Sequence, residues 1–228
     1  MIMTILAIFS VILLMLVDEA SAQSTYSVSV SRHVSTDALT DMQVRDILKE
    51  ASKILQKNFV NNGDEDVACD VTFTLKGPVR TFGSADTPAI IMDKEQRDAV
   101  HKVDSDIAGV DFHIKVVDEI QFCKPDLDVP SFNGCAFPIE NRSIIVVHPR
   151  RGFPDPILWA HEFGHLTGLG HRCSNCALMT LSDVAVLKSV ERPRVNKKEC
   201  GCLRGGLGSC ELPTAELHCS SQQAAACP

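Results

Sequence analysis

The chain has 228 residues, 45% of them hydrophobic and 22% charged, which is the composition of an ordinary globular domain with length enough to bury a core. Its formal net charge of −7, with no run of like charges, excludes a broad nucleic-acid-binding face, because neutralising phosphates takes clustered Lys and Arg.

Ile5 to Val17 is apolar apart from Ser10, and Ala20-Ser21-Ala22 then supplies the small residues at which a signal peptidase cuts. The stretch is too short to cross a ~30 Å hydrocarbon core as a helix. Met1 to Thr4 adds no Lys or Arg. These features predict a signal peptide over 1–22 and a secreted protein, extracellular or periplasmic, with no membrane attachment after cleavage. Cysteine use agrees: residues 69, 123, 135, 173, 176, 200, 202, 210, 219 and 227 all follow the signal, and their even number allows full pairing as disulfides.

Tyr26 to Arg32 sets Val28 and Val30 against Ser27, Ser29 and Ser31, the alternation of a half-buried strand. Thr40 and Gln43 form a capping box. Leu39, Ile47, Leu48, Ala51, Ile54, Leu55 and Phe59 then recur at helical spacing, so a helix should run to about Asn58 and end at Asn61-Asn62-Gly63. Val67 to Lys76 reads as a strand with Val71, Phe73 and Leu75 on one face, closed by Gly77-Pro78. From Arg80 to Ala108 the pattern is weak, with a short helix over Glu95 to Val103. Val110, Phe112, Ile114 and Val116 alternate with polar neighbours as a third strand. A loop rich in Pro and Asp covers Lys124 to Asn133; Gly134 to Pro138 reads as a short strand and Ser143 to His148 as a longer, apolar one.

Asp155 is placed to cap a second helix, with Pro156 at its first position, where the missing N–H costs nothing. That helix passes through Trp159 to about Thr167 and stops at Gly168. Leu181 to Ser189 is a shorter helix. From Arg192 onward the composition changes: five of the ten cysteines and Gly205-Gly206 fall there without hydrophobic periodicity. The expected architecture is α+β, a mixed sheet with one long helix packed on it, over residues 23–191. A Cys-rich C-terminal tail over 192–228 depends on disulfides.

The chemistry lies in His161-Glu162-Phe163-Gly164-His165-Leu166-Thr167-Gly168-Leu169-Gly170-His171. Two histidines four apart on a helix share a face and can reach one ion at about 2.0–2.1 Å. A helix running straight on would carry His171 away, but Gly168 permits a sharp turn through positive φ that brings it back. Three nitrogen ligands with the fourth position open mark a catalytic zinc. Glu162, directly after the first ligand, is the candidate general base on the water there, and the reaction class is hydrolysis of a peptide bond.

This motif, followed by Cys176-Ala177-Leu178-Met179-Thr180, resembles the extended zinc motif and Met-turn of the metzincins. The resemblance implies a zincin fold with a mainly parallel sheet, a long backing helix and an active-site helix, and places Met179 beneath the three histidines. The first helix and Cys69-Asp70-Val71-Thr72-Phe73 look like the corresponding elements of matrix metalloproteases, and Gly134, Cys135, Ala136 and Phe137 like their substrate-binding edge strand. Three departures stand out. Astacins and serralysins have a tyrosine shortly after the Met, whereas the only tyrosine here is Tyr26. Phe122-Cys123-Lys124-Pro125-Asp126 faintly echoes a cysteine switch but lies inside the domain, so a Cys123–Cys135 disulfide loop is the better reading. Arg172 stands where matrix metalloproteases and reprolysin-like enzymes often have Asp.

Two readings of Cys173, Cys176, Cys200 and Cys202 remain: disulfides, favoured by export, or a second zinc as in archaemetzincins. The expected function is a secreted zinc endopeptidase, a monomer acting on proteins or peptides. Its rivals are a narrow archaemetzincin-like peptidase and a secreted binding protein that keeps the zinc fold; an intact Glu162 speaks against the latter.

Overall fold

The computed structural model describes residues 23–57, 66–83, 87–125, 131–137, 139–147, 155–172, 177–180 and 193–211. The signal peptide, the helix expected over Leu181–Ser189, and Cys173, Cys176, Cys219 and Cys227 lie outside them.

Strand β1 (Ser24–His33) turns Val28 and Val30 into the core, and helix α1 (Asp41–Gln56) follows. The capping box is present in both directions: Gln43 N donates to Thr40 Oγ1 at 3.2 Å and Thr40 N to Gln43 Oε1 at 2.9 Å. The helix buries Val44, Leu48, Ala51, Ile54 and Leu55 and ends at Gln56, just short of the expected Asn58.

Strand β2 (Val71–Leu75) pairs parallel with the first half of β1, and β3 (Arg80–Phe82) continues along the same edge against Ser31–His33. Two-residue strands β4 (Ile90–Ile91) and β6 (Glu119–Ile120) form a small separate sheet. Between them lie α2 (Lys94–Lys102) and β5 (Phe112–Val117). Strand β7 (Gly134–Cys135) and β8 (Ser143–Val147) complete the main sheet, whose order is β2-β1-β5-β8-β7. Every pairing in it is parallel except β7 on β8, so the sheet is mixed and mainly parallel with its single antiparallel strand at one edge.

Both faces of that sheet are covered. Ile144 and Val146 enter the larger core under α1 and α3 (Asp155–Leu166), while Ile145 points to a second cluster with Val100 of α2. The alternation of β5 marks a polar face. Its polar residues are there, but α2 lies on that side, and His113 and Lys115 are buried with the rest of the strand. The Lys115 ammonium donates to Val103 O at the end of α2, and burial lowers its pKa to about 8.

The Cys-rich segment contains a helix that the sequence reading did not foresee, α4 (Lys197–Gly205), capped reciprocally by Asn196 and Glu199. Val195, Cys200, Cys202 and Leu203 are buried in the main core. Disulfides join Cys69 to Cys200, Cys123 to Cys135 and Cys202 to Cys210. The Cys123–Cys135 loop is as expected. Because Cys200 and Cys202 are each paired elsewhere, the four-cysteine second zinc site falls away.

Candidate metal centre

Helix α3 is buried almost throughout, from Ile157 to Gly164. On its core side Phe163 packs among Tyr26, Phe73 and Phe112, with ring centroids 4.8, 4.9 and 5.1 Å away. Asp155 is the helix's first residue rather than the residue before it, a one-position shift within the ordinary ambiguity of helix ends. Its Oδ1 finds no hydrogen-bond partner among the described residues, and burial raises its pKa to about 7.

His161 and His165 leave α3 one turn apart, and the helix ends at Leu166. Gly168 then takes φ +91°, as the motif requires, and a Cβ there would also strike the Cys210 carbonyl. The chain turns back and delivers His171. The three Nε2 atoms converge: His165 Nε2 lies 3.1 Å from His161 Nε2 and 3.2 Å from His171 Nε2.

What they present to one another is set from behind. His161 Nδ1 donates to Leu178 O at 2.7 Å and His165 Nδ1 to Leu169 O at 2.8 Å, since a carbonyl can only accept. Each of those rings therefore keeps its Nε2 lone pair, and the lone pairs point into one small space. Burial, aided by the neighbouring imidazoles, lowers the pKa of His161 and His165 to about 3 and of His171 to about 4, so all three are in the neutral, ligating form near pH 7. Nitrogens on a tetrahedron of ~2.0–2.1 Å radius stand roughly 3.3 Å apart. The donor set, spacing and tautomers fit zinc.

Met179 is buried beside this cluster. A Cβ on Gly164, midway between the two helical histidines, would run into the Met179 sulfur, so the missing side chain is what admits the thioether under the site. The same turn carries Leu178, whose carbonyl orients His161.

Glu162 is 5% exposed, and burial pushes its carboxyl up to about 8. It lies against the edge strand: a Cβ on Gly134 would overlap the Glu162 carboxyl group. Gly134 and Cys135 form β7 at the end of the sheet, Ala136 is buried, and Phe137 is 38% exposed. Sequence reasoning missed what holds this strand. His101 Nε2 donates to Phe137 O at 3.0 Å while its Nδ1 accepts from Ser143 Oγ at 2.5 Å. One turn back on α2, the buried Arg97 donates to Cys123 O and stacks on Phe122 and Phe137 at 5.5 and 5.3 Å. An i, i+4 pair on a helix in a poorly patterned region gave no functional signal.

No protein-family model and no curated protein sequence matches the chain. Among solved structures it is similar to an archaemetzincin from Methanopyrus kandleri, at 15% identity and TM-score 0.47 over 82% of this chain and 97% of that one. It is likewise similar to a zinc-dependent peptidase from Methanocorpusculum labreanum (strain Z), at 14% identity and TM-score 0.46 over 77% and 99%.

Proposed function

We propose that the protein is a secreted, monomeric zinc endopeptidase of the metzincin type, in which His161, His165 and His171 hold the metal and Glu162 is the catalytic base. The observation that carries the reading is a three-histidine cradle built on the same helix as a buried carboxyl that lies against the terminal strand of the sheet. Zinc, when bound, supplies Lewis acidity and a water of pKa about 7.

The protein's own groups do the rest. Among the described residues no strand pairs with the outer edge of β7, which suits an extended peptide added as a further strand, with Cys135, Ala136 and Phe137 beside it. Gly134 keeps the Glu162 carboxyl close to that peptide. Burial alone would hold this carboxyl protonated near pH 7, and a dication on the adjacent histidines acts in the opposite sense. As the base, Glu162 takes the proton of the attacking water at its carboxylate oxygen and passes it to the leaving amine. Met179 and the carbonyls of Leu178 and Leu169 keep the imidazoles fixed while this happens.

Residues 1–22 act as the export signal in this reading, and three disulfides among the described residues suit an oxidising compartment. The division into 23–191 and 192–228 is one of composition, since residues 193–211 share the main core. Cleavage of a broad peptide library by wild type and by Glu162→Ala tests the assignment. Wild type should cut peptide bonds, and the variant should retain metal while losing at least about a hundredfold in turnover. Equal cleavage by the two proteins would refute Glu162 as the base.

A further inference from the structure

We infer that residues 193–210 form a clamp on the metal centre, in which Glu199 and Cys210 are positioning residues that act on the three histidines through Arg172 and the turn at Gly168. The inference rests on the zinc reading above and concerns how the site is held.

Each of the three histidines has a neighbour that this segment grips. For His161, the orienting carbonyl belongs to Leu178, and Leu178 N donates to Arg194 O at 2.8 Å. For His165, the orienting carbonyl belongs to Leu169, immediately after the Gly168 turn, and the turn is locked from outside. Gly208 N donates to Leu166 O and Cys210 N to Thr167 O, both at 2.9 Å. These two carbonyls end α3 and need donors. They receive them from a remote part of the chain rather than from a following turn. The Cys210 carbonyl sits where a Gly168 side chain would be, so the segment and the glycine fit one another. For His171, the next residue is Arg172. Its Nε lies 3.3 Å from Glu199 Oε1 and its Nη2 donates to Arg194 O at 3.4 Å, while its own N–H donates to Met179 O at 2.6 Å.

The clamp is itself anchored. Cys200 is bonded to Cys69 beside β2, and Cys202 to Cys210, so α4 and the segment through Cys210 are tied covalently to the core. Glu199 divides its carboxylate, Oε2 accepting from Asn196 N to cap α4 and Oε1 facing Arg172. This also accounts for Arg172, the residue that departs from the matrix-metalloprotease pattern: its partner is supplied by the C-terminal segment.

Groups that orient metal ligands from behind change metal affinity by about 10- to 100-fold when removed. The test is zinc affinity of the full mature chain, by competition with a chromophoric chelator, beside the absorption spectrum of the cobalt-loaded protein. Glu199→Gln keeps an oxygen for the α4 cap and removes the charge facing Arg172. It should weaken zinc about tenfold and shift the cobalt bands, while the zinc-free protein still unfolds in one cooperative transition. The pair Cys202→Ser and Cys210→Ser, which unties the cap, should weaken zinc as well. If that pair fails to fold, Glu199→Gln decides. Wild-type zinc affinity and an unchanged cobalt spectrum in Glu199→Gln would overturn the inference. A wild-type protein that binds zinc but cuts no peptide would refute the peptidase reading and leave this one standing.

Discussion

At the scale of single residues, the site depends as much on absent side chains as on present ones. Gly168 supplies a conformation with positive φ, Gly164 admits the Met179 sulfur, and Gly134 admits the Glu162 carboxyl. Only the first of these was legible in the sequence, because a turn demand follows from helix geometry whereas a close approach between segments depends on the fold. The three histidines were legible for the same local reason: four residues make one turn, and the spacing alone places two imidazoles together. The carbonyls of Leu178 and Leu169 were not, since any residue type can offer a carbonyl. Gly134→Ala should therefore keep zinc binding but displace Glu162, and a shift of this kind costs roughly a hundredfold in kcat. Steady-state kinetics with a metal assay checks this; a variant with wild-type kcat would show that the Glu162 carboxyl has room to spare.

At the scale of elements, α1 was read closely because its cap, its period and its exposed face agree, whereas α4 was missed. Its residues bury Cys200, Cys202 and Leu203 through disulfides and local fit rather than a repeating apolar stripe, although the Asn196–Glu199 capping box was there to be seen. Strand β5 shows the limit of alternation, which reveals a polar face but not whether another element covers it. That covered face has a consequence for pH. Burial lowers the pKa of His101 and of His113 from 6.5 to about 4, so the folded protein resists protons that the unfolded chain accepts. The contribution of these two histidines to stability should be level with pH above about 6.5 and should fall as pH drops from there to about 4, by about 1.4 kcal/mol per pH unit for each group. Denaturant unfolding across this window tests it. His101→Gln, which can still donate to Phe137 O, should show a shallower decline than wild type. An equal slope would mean that His101 takes up its proton without leaving its place.

At the scale of the whole molecule, a mainly parallel sheet carries α1 and α3 on one face and α2 on the other, and the two faces do different work. One face builds the metal centre from α3, the turn after it and the C-terminal segment. The other uses Arg97 and His101 to hold the disulfide-closed loop whose last residues form the open edge. The two meet where Gly134 touches Glu162. The layered α+β plan and the three histidines were legible from local pattern. The joining of residues 193–211 to the same core was not, because it rests on contacts between segments far apart in the chain.

The most direct measurement of the central claim is the zinc content of the purified mature protein, taken together with peptide cleavage before chelation, after it, and after zinc is restored. One zinc per chain at the three histidines is expected, with cleavage abolished by a strong chelator and recovered on adding zinc. Protein that purifies without zinc and takes none up, or cleavage that survives complete chelation, would contradict it.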